Sequence, residues 1–419
     1  MYEISPDYFL ERFLSYVRID TQSDPRSTSY PSAARELDLS RKLVEELRQL
    51  GLSDVELTGD GYVMATLPGN VEHPVPVIGL IAHVDTAPDV SGANVKPLIH
   101  RNYQGGPIVL PGDTEIVIDP DMNPDLKTMT GYDIITTDGT TLLGADNKAG
   151  VAEIMGALHY LTDHPHIRHG TIRVAFTVDE EVGRGVDYFD VKHFGAEYAY
   201  TIDGGAAGEV EDETFCADSA TVTIEGVNVH PGYAYGKMIN ALKVAARYLD
   251  SLPADALSPE TTREREGYVH PNTMRGNVEK MVIDFIVRDF TVEGLKEKER
   301  FLEELAGKVA GQFPGSRIGV SFSESYRNMK YEIDKHPEVV SYAMEAVERA
   351  GLKARKGLIR GGTDGARLSY MGLPTPNIFT GGHNFHSKKE WIAVQDMQKA
   401  CATIVHLVEI WAEKSKQRN

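Results

Sequence analysis

Cysteine is nearly missing. The 419 residues hold only Cys216 and Cys401, far apart and without a CxxC pair, which excludes a disulfide framework and a thiolate zinc site and suits a reducing cytoplasm. Positive charge is also short: 43 Lys and Arg against 62 Asp and Glu leave a formal net charge of −19. No basic stripe offsets it, so neither nucleic acid nor an anionic membrane is expected as a partner. Long apolar runs are lacking too. The most apolar stretch, Val75 to Val84, is far too short to span a bilayer. The N-terminal MYEISPDYFLERF has neither the basic n-region nor the apolar core of a signal peptide, so none is expected. Repeats and low-complexity segments do not occur. What remains is 41% apolar and 25% charged residues, the composition of a globular chain. Its length exceeds one ordinary core, so two domains are expected.

The most informative stretch is Thr171 to Gly183, TIRVAFTVDEEVG, a β-branched apolar run that ends in Asp179, Glu180 and Glu181. Apolar residues carry a strand through a sheet interior, and an open α/β sheet binds its ligands at the strand exits. Neighbouring carboxylates repel, by about 4 kcal/mol at the effective dielectric of a protein surface, so such a cluster calls for protons or cations. By itself Glu180-Glu181 reads equally well as a solvated pair. Val75 to Ala82 is a second buried run and delivers His83-Val84-Asp85; in a strand His83 and Asp85 share a face, which suits an imidazole ligand braced by a carboxylate or a strand-end histidine bonded to a loop. A third run, Ala196 to Ile202, ends in Asp203. Asp146 precedes the helical pattern Val151, Ile154, Met155, Leu158, Leu161, where its ordinary duty would be a helix N-cap.

Elsewhere the pattern predicts helices starting at Pro6, ending at Gly51, running from His336-Pro337 to Ala350 and from Ala393 to Lys414, with a hairpin at Gly59-Asp60-Gly61. From about Thr214 alternation replaces continuous runs: ATVTIEGV and KMVIDFIVR each have one wet face, and amphipathic helices around Met238 to Leu252 and Val292 to Gln312 lie among them. This predicts an inserted α+β domain at 215–326, a four-stranded antiparallel sheet with two helices, within a main α/β domain at 1–214 and 327–419.

AHVDT at His83, LGADNKAG at Asp146, FTVDEEVG at Glu180, YTIDGG at Asp203, NVHPG at His230, IRGGTDGA at Arg360 and TGGHNFHS at His386 together resemble the signature blocks of the aminoacylase and carboxypeptidase-type zinc peptidases. The resemblance spans nearly the whole chain. It implies a mixed, mostly parallel catalytic sheet between helices and a dimerisation-type lid, with a homodimer through that lid. Asp146 would bridge two zinc ions, replaceable by manganese or cobalt, one also held by His83 and Asp203 and the other by Glu181 and His386. His386 is preferred to His383 because the family's ligand follows the GGxNx spacing. Asp85 would orient His83, and Glu180 would be the general base. His230 would donate to the tetrahedral oxyanion, while Asn240, Arg288 and Arg360 would grip a peptide carboxylate. The family's pattern also implies a cis peptide at Asp146-Asn147. The implied activity is removal of the N-terminal residue from tripeptides; a carboxypeptidase or N-acyl amino acid hydrolase on the same metals, and a metal-dependent binding protein without turnover, are the alternatives.

Overall fold

In the computed structural model, which describes residues 2–418, chain contacts divide the molecule into two units. The first comprises Met1–Asp212, Met329–Gly357 and Thr363–Asn419; the second comprises Glu213–Asn328 and Leu358–Gly362. The short return segment joins the second unit because Arg360 is anchored there, its guanidinium donating to the carbonyls of Glu264 (2.7 Å) and Glu266 (2.9 Å).

An eight-stranded mixed sheet, to which the first unit contributes most residues, runs in the order Ser53–Leu57, Val63–Leu67, Ile172–Thr177, Ile78–His83, Tyr198–Gly204, Asn377–Phe379, Glu209–Thr214, Arg355–Ile359. The four strands from Ile172–Thr177 through Asn377–Phe379 pair in parallel; Val63–Leu67 and Glu209–Thr214 flank them antiparallel. The central strands are the continuous apolar runs, and Ile78–His83 is buried along its whole length. At about 25 cal/mol per Å², each such Leu or Ile contributes roughly 1.5–3 kcal/mol through burial. Because the four strands are parallel, their carboxyl ends lie along one edge. There the chain presents His83, then Asp179 to Glu181, then Asp203, then the segment after Phe379 that leads to His386.

Helix Ala145–Asp163 crosses behind this edge, packed on strands Ile78–His83 and Tyr198–Gly204. The approach requires glycine: a Cβ at Gly150 would collide with the carbonyl oxygen of Ile202. Helices Pro6–Tyr16 and Val394–Arg418 pack against the same helix. Ser5 caps the former, as Ser-Pro at its start predicts, and Gly51 follows the helix Glu36–Gln49 at φ +80°. Among the described residues no helix is long and apolar enough to cross a membrane.

The second unit holds a four-stranded antiparallel sheet, Tyr268–Gly276, Lys280–Asp289, Cys216–Glu225, Arg317–Tyr326, with helices Ala241–Asp250 and Val292–Gln312. Its core of Val222, Ile224, Val244, Tyr248, Ile283, Phe285, Leu302 and Val309 lies between the helices and one sheet face, which explains the alternation in each strand. Strand Tyr268–Gly276 carries Pro271 at an irregularity in its pairing with Lys280–Asp289, where a missing N–H is tolerated.

Candidate active site

Five of the expected residues converge at the carboxyl edge of the parallel strands. His83 Nε2 lies 3.0 Å from Asp146 Oδ1 and 3.4 Å from Asp203 Oδ1. His386 Nε2 lies 3.1 Å from the other Asp146 oxygen, Oδ2, and 2.9 Å from Glu181 Oε2. Asp146 therefore divides its carboxylate between two triads, His83–Asp146–Asp203 and Asp146–Glu181–His386, whose donor atoms lie within 4.8 Å of one another in each. The alternative histidine goes elsewhere: His383 stacks on Trp391 with ring centroids 3.9 Å apart.

Local structure explains why Asp146 is available. Gly144 takes a left-handed conformation (φ +82°), the Asp146-Asn147 peptide is cis, and Asp146 and Asn147 depart from helical torsions. The cap of the helix that follows is supplied by Asn147, whose Oδ1 accepts from Gly150 N at 3.2 Å, so the N-cap duty considered for Asp146 falls to its neighbour. The Asp146 carboxylate is left to face the two histidines.

Asp85, fully buried, accepts the backbone N–H groups of Glu180 (3.0 Å) and Glu181 (3.1 Å), one on each oxygen. His83 Nδ1 faces both the Asp85 carbonyl oxygen (3.1 Å) and Oδ1 (3.3 Å). One carboxylate thus fixes the turn carrying the paired glutamates and faces the inner nitrogen of His83, leaving Nε2 toward the acids. Asp179 is part of the bracing, not the cluster: it sits at φ +58° and accepts from Ser32 N, while its own N–H donates to buried Glu36. Burial and the charges of Asp85 and Asp179 push Glu36 up to about 9. The Glu180 carboxylate receives no hydrogen bond among the described contacts, its Oε2 standing 4.0 Å from His83 Nε2.

The protonation energetics show how crowded this edge is. Burial raises Glu180 well above the usual carboxyl range, pushes Glu181 up to about 8 with help from Asp146, and pushes Asp203 up to about 6. Burial opposes ionisation of Asp146 as well, but its hydrogen bonds with His386 and His83 win and lower it. His386, hydrogen-bonded to Asp146 and Glu181, rises to about 11. The protein alone must hold protons here to offset its own charge, and Glu181 Oε1 is buried without a hydrogen-bond partner. Imidazole nitrogens and carboxylate oxygens in two triads sharing one carboxylate are a donor set that fits two divalent cations.

Two acids here escape sequence reasoning. Asp364, buried, accepts from Thr177 Oγ1 at 2.9 Å. Glu390, 1% exposed, accepts the N–H groups of Leu143 and Gly144 on Oε2 (2.8 Å each) and of Asp146 on Oε1 (3.0 Å). Glu390 follows Lys388 and Lys389 like an ordinary surface charge, and Asp364 lies inside the block IRGGTDGA without being singled out there; the partners of both are backbone or hydroxyl groups far along the chain.

The remaining candidates belong to the second unit. His230 is exposed and accepts Gly232 N at Nδ1 (3.1 Å), which selects the tautomer with its proton on Nε2. Asn240 uses Oδ1 to cap helix Ala241–Asp250 at Leu242 N (2.9 Å). Arg288 donates to the Val287 carbonyl at 3.0 Å and lies over the Tyr326 ring. Arg360 also reaches Thr262 Oγ1 (3.0 Å) and lies over Phe215 and Tyr268, so most of its donors are engaged within its own unit.

A mixed α/β sheet with paired His-carboxylate triads at its carboxyl edge and a separate four-stranded antiparallel unit is an architecture that suits a metallopeptidase. The family model for Peptidase family M20/M25/M40 matches residues 135–410, and the chain belongs to this family: it is a peptidase, a hydrolase of peptide bonds. Its relatives include Peptidase T of Bacillus subtilis strain 168, 49% identical over 96% of this chain and 97% of that protein. Peptidase T of Aliivibrio fischeri is 50% identical over 97% and 99%. Among solved structures the fold is similar to aminopeptidase PepT from Bacillus cereus (TM-score 0.74, 24% identity, 98% of this chain and 100% of that one). It is also similar to a Bacillus subtilis protein described as a dinuclear metal-binding M20 peptidase (TM-score 0.66, 14% identity, 97% and 98%).

Proposed function

We propose that the protein is a cytoplasmic two-zinc exopeptidase that removes the N-terminal residue from tripeptides. The observation that carries this reading is the division of Asp146 between two donor triads with the unbonded Glu180 carboxylate beside them. His83, Asp146 and Asp203 would hold one cation, and Asp146, Glu181 and His386 the other; His and carboxylate donors suit zinc, and manganese or cobalt accept the same set. When bound, the pair would supply Lewis acidity for the scissile carbonyl and lower the pKa of an attacking water.

The chain's own residues do the rest. Glu180, its turn held by Asp85, takes the proton of the attacking water and returns it to the amine leaving group; burial raises its proton affinity above the ordinary carboxyl range, which favours accepting that proton. His230, whose Nδ1 accepts from Gly232 N, would donate through Nε2–H to the oxyanion, and Asn240, Arg288 and Arg360 would grip the substrate's carboxylate, Arg360 on releasing acceptors it holds within its own unit. The two cysteines are buried and unpaired, in keeping with a reducing compartment.

Substrate assays separate this reading from its enzymatic rivals. The zinc-loaded protein is expected to cleave free tripeptides at their first bond, and dipeptides and N-acetylated tripeptides far more slowly. Cleavage of the blocked peptides but not the free ones would transfer the assignment to an N-acyl amino acid hydrolase.

A further inference from the structure

We infer that Glu390 is a positioning residue for the cation pair, tying the loop that carries Asp146 to the loop that carries His386. The inference rests on the two-cation reading above and adds a residue that is no ligand in it. Glu390 lies four positions after His386 in a tight turn, where its N–H donates to the Ser387 carbonyl (3.3 Å) and Ser387 Oγ accepts Lys389 N (3.1 Å). From there its carboxylate takes three backbone N–H groups of the segment 143–146, with 2.8 Å contacts to Leu143 and Gly144 and 3.0 Å to Asp146. His386 at φ +59° and Gly144 at φ +82° both occupy the left-handed region, disfavoured for any residue other than glycine, so His386's geometry must be imposed by its surroundings. Glu390 is the side chain that bonds the one loop to the other next to the atoms concerned.

The polarity of this contact is specific. Both oxygens accept, and Glu390 is almost wholly buried, so bulk solvent cannot readily replace a lost bond. Its charge has a buried counterpart nearby in Lys148, whose Nζ donates to the Ile19 carbonyl at 2.8 Å. A glutamine of the same shape must turn its NH2 toward either Asp146 N–H or the Leu143 and Gly144 N–H groups, setting donor against donor. Aspartate keeps both acceptors but falls one methylene short. Metal-site partners beyond the ligands themselves typically change affinity 10- to 100-fold when lost. The ion of the Asp146–Glu181–His386 triad should feel this most, because Glu390 bridges two of its three ligand loops. His83 and Asp203, by contrast, ride on central sheet strands.

The test is zinc titration of the metal-free protein by calorimetry for wild type, Glu390→Asp and Glu390→Gln, with the melting temperature of each metal-free form recorded alongside. Expected are two ions per wild-type chain, with one of the two affinities weakened roughly 10- to 100-fold in Glu390→Gln and less in Glu390→Asp, and the other changed little. Should Glu390→Gln fail to fold, a selective loss at one ion in Glu390→Asp supports the inference and two wild-type affinities overturn it. A lower metal-free melting temperature with both affinities unchanged means a merely structural tie and also overturns it. Absence of zinc binding by the wild type itself would instead sink the two-cation reading beneath it.

Discussion

Replacing Glu180 by Gln is expected to lower kcat on tripeptides by roughly 10²- to 10⁴-fold, the range by which a positioned acid–base group accelerates proton transfer, with metal content and KM little changed. The reasoning is geometric first. Among the described residues the Glu180 carboxylate meets no protein hydrogen-bond donor, and its backbone is pinned by Asp85 at 3.0 Å, so the side chain is placed but not consumed. Gln has the same shape and can hold a water, but it cannot receive a proton. Because Glu180 belongs to neither donor triad, the two ions should remain. Turnover at the wild-type rate would reject Glu180 as the base. Loss of an ion would show that it is a ligand.

The second large effect is expected at Asp146. Changing it to Ala removes one oxygen from each triad at once, so each cation loses a ligand from a single substitution. Elemental analysis after dialysis should find the content falling from two ions per chain to at most one. The Lewis acid contributes several kcal/mol at about 1.4 kcal/mol per tenfold, so kcat/KM should fall by at least about 10³. Asp203→Ala, which touches only the His83 triad, should strip one ion selectively. Equal metal loss in both variants would contradict the sharing of Asp146.

Much of this site was legible in the sequence because the parallel strands are apolar throughout and polar only at their exits. Runs ending in His83, in Glu180-Glu181 and in Asp203 already pointed to one edge, and the structure aligns those exits. Helix Val292–Gln312 and the alternating strands of the second unit were equally readable, since one face of each is buried. Strand Glu209–Thr214 was not. Its EVEDET sequence looks like a surface loop, yet Glu211, Asp212 and Glu213 are buried against Asn377 (3.0 Å), Lys356 (2.6 Å) and Arg265 (2.5 Å), partners that no local pattern announces. The sequence neighbours of Arg360 belong to the main domain, but its carbonyl acceptors at Glu264 and Glu266 draw it into the other unit. Glu390 escaped for a related reason, since a carboxylate that serves backbone amides 244 to 247 positions away leaves no side-chain motif behind.

The most direct test of the whole account is anomalous diffraction at the zinc edge from crystals of the zinc-loaded protein. Two peaks are expected, one bounded by His83, Asp146 and Asp203 and one by Asp146, Glu181 and His386, with Asp146 reaching both. A single peak, or peaks away from Asp146, would contradict it.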